Sequence, residues 1–208
     1  MPLAPDYVEA DELKHALRID DTVVDPEIGF AISAASRAID AYCGRSFGKT
    51  EAAETRIFAD TDAAALDGRG LVIDDVAASL GLVVGVDEGD DGTFGTTYAV
   101  GTDVRLWPWN AEGEGRPWTE LRTVGSKRFP RRARAVQVTA QWGWPEVPAL
   151  VKQACLIEAL RLFKRKDAPF GVAGSTELGG AEPMRLLARL DPDVELLLAG
   201  LRRRWLAA

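Results

Sequence analysis

Along the first 45 residues, apolar side chains recur at three- and four-residue steps, the spacing of one helix face. Val8, Leu13, Ala16 and Leu17 mark a short helix that Asp6 is placed to cap, before the turn Arg18-Ile19-Asp20-Asp21. Ile28, Ile32, Ala35, Ile39 and Tyr42 mark a longer helix over 26–43. Asp25 reads as its N-cap, Pro26 as its first helical residue and Gly44 as its stop. Small residues on it (Ala31, Ala34, Ala35, Ala38) let a second helix approach closely.

From about 51 to 141 the period shortens to two. The runs LVIDDVAASLGLVVGV, TTYAVGTDVRLW, WTELRTVG and ARAVQVTAQWG are rich in strand formers. Asp67-Gly68, Asp91-Gly92, Gly113–Gly115 and Gly125-Ser126 separate them as turns. Helical spacing returns after Pro148 with Leu150, Val151, Ala154, Cys155, Ile157, Leu160 and Leu162, closing on basic Lys164-Arg165-Lys166. A last helix starts at Asp191-Pro192, with Val194, Leu197, Leu198 and Leu201 on one face.

This order predicts an α+β protein, mainly an α-helical bundle with an inserted antiparallel β-sheet domain. Residues 1–50 form the N-terminal part of the bundle, 51–141 the β-rich insertion, and 142–208 the C-terminal helical part, with a flexible Gly-rich loop at 167–183.

Composition narrows the function classes. Hydrophobic residues make up 47% and charged residues 27% of the 208-residue chain, which suits a globular protein. No window approaches the ~20 apolar residues of a membrane span, so no membrane partner is expected. The first residues lack the basic and apolar regions of a signal peptide. The net charge of −7 conceals an asymmetry: residues 1–100 carry 20 acidic and 7 basic side chains (−13), residues 101–208 carry 12 and 18 (+6). An acidic half and a basic half suit a subunit that meets oppositely charged neighbours. Cys43 and Cys155 both fall in apolar helical patterns and read as buried free thiols.

Catalytic constellations are missing from the pattern, and no enzyme, metal or cofactor is expected. His15 is the one histidine, on a short helix; with two separated cysteines it makes a poor zinc set. Ser175 sits in AGSTELGG, without the G-x-S-x-G elbow, and Gly48-Lys49 lacks the upstream glycine of a P-loop. Asp87-Glu88-Gly89-Asp90-Asp91-Gly92 fails as an EF-hand loop, since its third position is Gly89 and its twelfth Tyr98; it reads as a solvated hairpin turn. Asp74 and Asp75 are neighbours on a strand and face opposite ways, a poor acid–base couple. Trp107, Trp109, Trp118, Trp142 and Trp144, near Lys127, Arg128, Arg131, Arg132 and Arg134, suggest packing or subunit contact. The alternative is a nucleic-acid-binding module built from the Trp-rich, basic segment 107–144.

Three stretches carry a family resemblance. The opening holds Leu17-Arg18-Ile19-Asp20, then Ala35-Ser36-Arg37-Ala38-Ile39-Asp40, then Tyr42-Cys43-Gly44-Arg45-Ser46-Phe47. From Thr139 to Val172 a strand runs through Gly143-Trp144 into a proline-opened helix, and the chain ends LDPDVELLLAGLRRRW. In this order they resemble the head-tail connector (adaptor, or head completion) proteins of tailed phages, of actinophage or gene-transfer-agent type.

The resemblance implies a structural subunit of the virion head-tail interface, assembled in the host cytoplasm. Such proteins form a homo-oligomeric, dodecameric ring beneath the portal protein. The ring extends the DNA channel, through which DNA passes without specific binding, and offers a docking surface to a stopper or tail-completion protein. Carried over, the resemblance makes Asp191, Leu198, Leu201, Arg202, Arg203, Arg204 and Trp205 portal-contacting candidates. A DNA channel should repel phosphate, so Glu9, Asp11, Glu12, Asp20 and Asp21 are channel-lining candidates. The 51–141 insertion is longer than the plain helical members carry.

Overall fold

The computed structural model describes residues 5–58, 69–165, 172–173, 184–185 and 190–203, with the backbone alone for 172–173 and 184–185. The chain divides into two compact units. One holds residues 46–146; the other holds the described residues up to 45 and those from 147 to 203.

In the helical unit, α1 (Ala10–Leu17) starts with a capping box. The Glu9 side chain takes the backbone N–H of Glu12, and Glu12 returns the bond to the N–H of Glu9. Asp6 is therefore not the cap; its carboxylate accepts instead from Ser33 at 2.7 Å. Helix α2 (Asp25–Cys43) has Pro26 in its first turn and ends at Gly44 in the left-handed region, φ 64°. Its N-cap is Val24, with no side-chain cap bond. Asp25 pairs with Lys14 at 2.8 Å rather than capping.

Ile28, Ile32, Ala35, Ile39 and Cys43 are buried on one side of α2, each isoleucine contributing about 1.5–3 kcal/mol. That side packs against α3 (Ala149–Lys164). Ala31 and Ala35 are the small residues buried there, whereas Ala34 is exposed. Buried Ser36 accepts the backbone N–H of Tyr7 at 3.2 Å and lies 3.4 Å from the Cys155 thiol. The Tyr7 hydroxyl donates to Asp40.

On α3, Val151, Ala154, Cys155, Ala159 and Phe163 are buried and Leu150 is exposed, so the stripe is narrower than expected. Helix α4 (Pro192–Leu198) packs on α3 through Val194 and Leu198 and runs into a short 3-10 turn, Ala199–Leu201. The stretch 167–183, expected to be a flexible loop, lies outside the described residues except for Val172–Ala173 (β7), which pairs with Met184–Arg185 (β8).

The other unit is a six-stranded antiparallel sheet in the order β1-β6-β2-β5-β4, with β3 also on β2. Its strands are β1 (Glu54–Phe58), β2 (Gly70–Val86), β3 (Thr96–Tyr98), β4 (Val104–Trp107), β5 (Trp118–Thr123) and β6 (Val136–Trp142). Strand β6 alternates strictly: Val136, Val138, Ala140 and Trp142 face the core. Long β2 is the hub. Its first half pairs β5, its last three residues pair β3, and β6 runs beside it. Register shifts at 72–76, 76–78 and 78–83 interrupt it, and such bulges bend a strand and let it change partners. The largest throws Ser79-Leu80-Gly81 outward, with Gly81 at φ 78°.

The α+β class therefore holds, but the description as mainly a helical bundle does not. Residues 46–146 form a sheet unit with a core of their own, running from Leu71 and Ile73 through Leu121 and Phe129 to Trp142. The physical reason is β2: its Leu71, Ile73, Val76, Leu82, Val84 and Val86 are buried together with residues of β5 and β6 in one cluster.

Candidate interaction surfaces

The C-terminal candidates are partly consumed by the fold. The Asp191 carboxylate caps α4, accepting the N–H of Asp193 at 2.9 Å, and its backbone N–H donates to Glu158 at 3.4 Å. Leu198 is fully buried within its own unit, so in this conformation it presents nothing to a partner. Leu201 is half-buried. The Arg202 guanidinium lies 4.8 Å over the Tyr42 ring, and the backbone N–H of Arg203 donates to the Cys43 carbonyl at 2.8 Å. Arg204 and Trp205 lie outside the described residues. The apolar side chain that α4 does present is Leu196, 77% exposed.

The five acidic candidates are all exposed and gather on α1 and the loop behind it. Glu9 and Glu12 are already engaged in the capping box. Asp11 adds negative charge to the same first turn, which favours the positive pole of α1. Asp21 accepts the backbone N–H of Val23 at 3.0 Å, a tight turn that leaves Val23 80% exposed between Asp21 and Asp25.

The described tryptophans fall into two groups. Trp118, Trp142 and Trp144 are buried, which is packing. Trp107 and Trp109 are 40% and 62% exposed. They flank Pro108, joined to Trp107 by a cis bond, at the end of edge strand β4. Arg122 lies 4.4 Å over the Trp107 ring and Arg105 5.5 Å over the Trp109 ring. Beside them opens a hollow of about 330 Å³ lined by Val100, Gly101, Arg105, Leu106, Trp109 and Trp118.

Three residues of the basic run are engaged within the chain. Lys127 sits 4.7 Å over the Tyr98 ring, Arg128 donates to the Gly125 and Lys127 carbonyls, and Arg132 pairs with Asp87 and Asp90.

Other polar groups serve the fold. Asp74 pairs with Arg56 at 2.7 Å, while its neighbour Asp75 is buried and accepts the indole N–H of Trp144 at 3.1 Å; the two face opposite ways. The Asp87 carboxylate closes its hairpin turn by accepting the N–H groups of Asp90 and Gly92. Desolvation pushes that carboxyl up. The backbone N–H groups of Gly92, Asp90 and Asp91 and the Arg132 charge together outweigh it, and the net result lies below the ordinary 3.8. Cys43 and Cys155 are free and buried. Burial lifts both thiols, Cys43 to about 11. His15 is exposed on α1. Among the described residues, no group of three or more His, Cys, Asp or Glu is arranged to hold a metal. No helix among them is long and apolar enough to cross a membrane.

Sequence reasoning passed over Val23, Val100, Arg105 and Leu196. The signal for Arg105 was its proximity to Trp109; for Val23 it was an apolar residue set among aspartates.

No family model matches this sequence, and no curated protein does. Among solved structures, the chain is similar to one from a structure described as the neck of an empty GTA particle computed with C6 symmetry. The likeness covers 100% of this chain and 96% of that one, with a TM-score of 0.54 and 16% identity. At that identity the likeness is one of fold: both chains share this α+β arrangement over nearly their whole lengths.

Proposed function

We propose that this chain is a structural subunit of a phage-like particle's neck, an adaptor that forms a ring under the portal. In this reading it extends the DNA channel and gives the stopper or tail-completion protein its docking surface, without catalysing a reaction. The observation that carries the reading is the end-to-end likeness of fold to a chain from a GTA neck. It is supported by the three sequence stretches of adaptor type, which lie at both ends of the chain. A shared local motif would leave most of one chain unmatched; here almost nothing is left over.

Other features fit a contact-making rather than a reacting protein. Exposed apolar side chains (Val23, Phe30, Leu80, Leu196) stand on both units, the kind of surface that a partner covers. Buried Asp75, Asp87 and Glu158 are each engaged in a bond that holds a segment of the fold. The exposed acids at Glu9, Asp11 and Glu12 suit a surface that DNA must pass without adhering.

The experiment is cryo-electron microscopy of the particle whose genome encodes this chain. The expected result is ring density between portal and tail that fits both units, with the segment from Asp191 onward against the portal. A particle with a complete neck that lacks this chain overturns the reading.

A further inference from the structure

We propose that the loop between α1 and α2 of one copy docks into the Arg105–Trp109 hollow of a second copy, joining ring subunits head to tail. The proposal rests on the ring reading above and names the contact that would build the ring.

The hollow has an apolar floor and one cation. Trp118 is buried at its base, Val100, Leu106 and Trp109 line it, and Arg105 is the one ionisable group among its lining residues. The neighbouring arginines are neutralised within their own chain, Arg122 by Glu120 at 2.8 Å and Arg116 by Glu114 at 3.8 Å. Arg105 faces the Trp109 ring at 5.5 Å, and among the described residues no carboxylate pairs with it. Tryptophan and arginine are among the residues most enriched at the energetic anchors of protein contacts. Its complement is an apolar tip flanked by carboxylates.

The α1–α2 loop has that form. Val23 is the exposed tip, Asp20 and Asp21 are exposed beside it, and Asp25 is held by Lys14. From Arg18 to Asp25 there are three aspartates and one arginine, a local charge of −2. The bond from the Val23 N–H to Asp21 holds the tip outward in advance, so docking loses little further freedom. The other exposed apolar residues match less well. Leu80 lies between Ala78 and Val83 with no charge in its bulge, and Phe30 and Leu196 are on the sides of α2 and α4 rather than at a tip.

Tip and hollow lie on different units of the chain. Their meeting is heterologous, a contact that propagates from copy to copy and closes into a ring when the rotation allows. It assigns Asp20 and Asp21 to the subunit contact instead of the channel wall. The ion pairs at its rim also make assembly weaker at high salt.

The test uses particles that carry the full chain with Val23→Cys and Val100→Cys together, oxidised with copper phenanthroline and run on a non-reducing gel. The native thiols are buried, and the two single variants serve as controls. The expected result is a ladder running past the dimer, absent from either single variant and collapsed by reductant. Neck-located chain that gives no ladder, or a ladder ending at two copies, overturns this contact while leaving the ring reading in place. Chain missing from the neck overturns the ring reading; cross-linking of the concentrated, purified double variant then decides the contact, a ladder supporting it and its absence overturning it.

A charge swap supplies a second readout. Arg105→Glu lowers ring occupancy roughly tenfold, and adding Asp20→Arg, which leaves the Asp21 turn bond intact, restores part of it; equal loss in the double variant counts against the contact. Saturable quenching of tryptophan fluorescence by oligothymidine, lost at high salt and in Trp109→Ala, would give the hollow to single-stranded nucleic acid and overturn the proposal.

Discussion

The indole N–H of Trp144 donates to the buried carboxylate of Asp75 across 3.1 Å. Trp144 also packs against Phe47, ring centroids 5.1 Å apart, and the N–H of Gly143 donates to the Asp75 carbonyl at 2.7 Å. One residue of the strand hub thus holds the segment that leaves β6. Trp144→Phe keeps most of the ring packing and removes the donor from a buried carboxylate. The expected cost is about 1–3 kcal/mol, read as a lower urea midpoint with unchanged slope. A loss below about 0.5 kcal/mol would mean the bond is incidental.

Gly143 has no room for a side chain. A Cβ built there falls 1.9 Å from the Gly48 carbonyl oxygen and 2.7 Å from the Lys49 Cα, and its φ is 115°. Both obstacles are backbone and neither can rotate away. Gly143→Ala should destabilise by roughly 2–4 kcal/mol, with faster amide exchange at Thr50 and Trp144, whose N–H bonds hold this crossing. Gly95→Ala, with nothing within 4 Å of the added carbon, is the matched control and should stay near wild type.

Glu158 is buried on α3 and accepts from Arg161 at 2.9 Å and from the backbone N–H of Asp191 at 3.4 Å. A charge in the middle of an apolar stripe is retained here because it fastens the start of α4. Glu158→Ala should cost about 1.5–3 kcal/mol and raise exchange at the first turn of α4 more than along α2. Uniform change along both helices would assign Glu158 to general stability alone.

Strong acid should loosen the 87–92 hairpin. The Asp87 carboxyl titrates lower in the folded protein than the ordinary 3.8, so its contribution is present above that value and is lost as pH falls through the folded one. Asp40 acts in the opposite sense: burial lifts its carboxyl, ahead of the lowering by the Tyr7 bond and the Arg37 charge. Comparing wild type with Asp87→Asn isolates the hairpin. The variant should be less stable at neutral pH, and the gap should close as pH drops below about 4. A gap that persists unchanged at pH 2 would assign the effect to packing.

Much of this architecture could be read locally. The three-and-four spacing of Ile28, Ile32, Ala35 and Ile39 with Gly44 behind it yields α2 within one residue, since helical periodicity and a left-handed stop are properties of neighbouring residues. The alternation of β6, and the turns at Asp91-Gly92 and Gly125-Ser126, are local in the same sense. Caps were less legible: Asp6 and Asp25 both have capping chemistry, yet each found a partner elsewhere in the chain, and Glu9 took the role through its match with Glu12.

Interaction surfaces needed the third dimension. Leu198 and Leu196 are two residues apart in one leucine run, and only the packing of α4 on α3 buries the first and exposes the second. Six tryptophans look alike in a sequence, but strand pairing puts Trp118 and Trp142 inside and leaves Trp107 and Trp109 at the free edge of the sheet. Periodicity and turn chemistry act over a few residues, and they carry the elements and the fold class. Whether a side chain meets a partner inside the chain or is left for one outside depends on contacts between residues 29 to 119 positions apart, which no local pattern records.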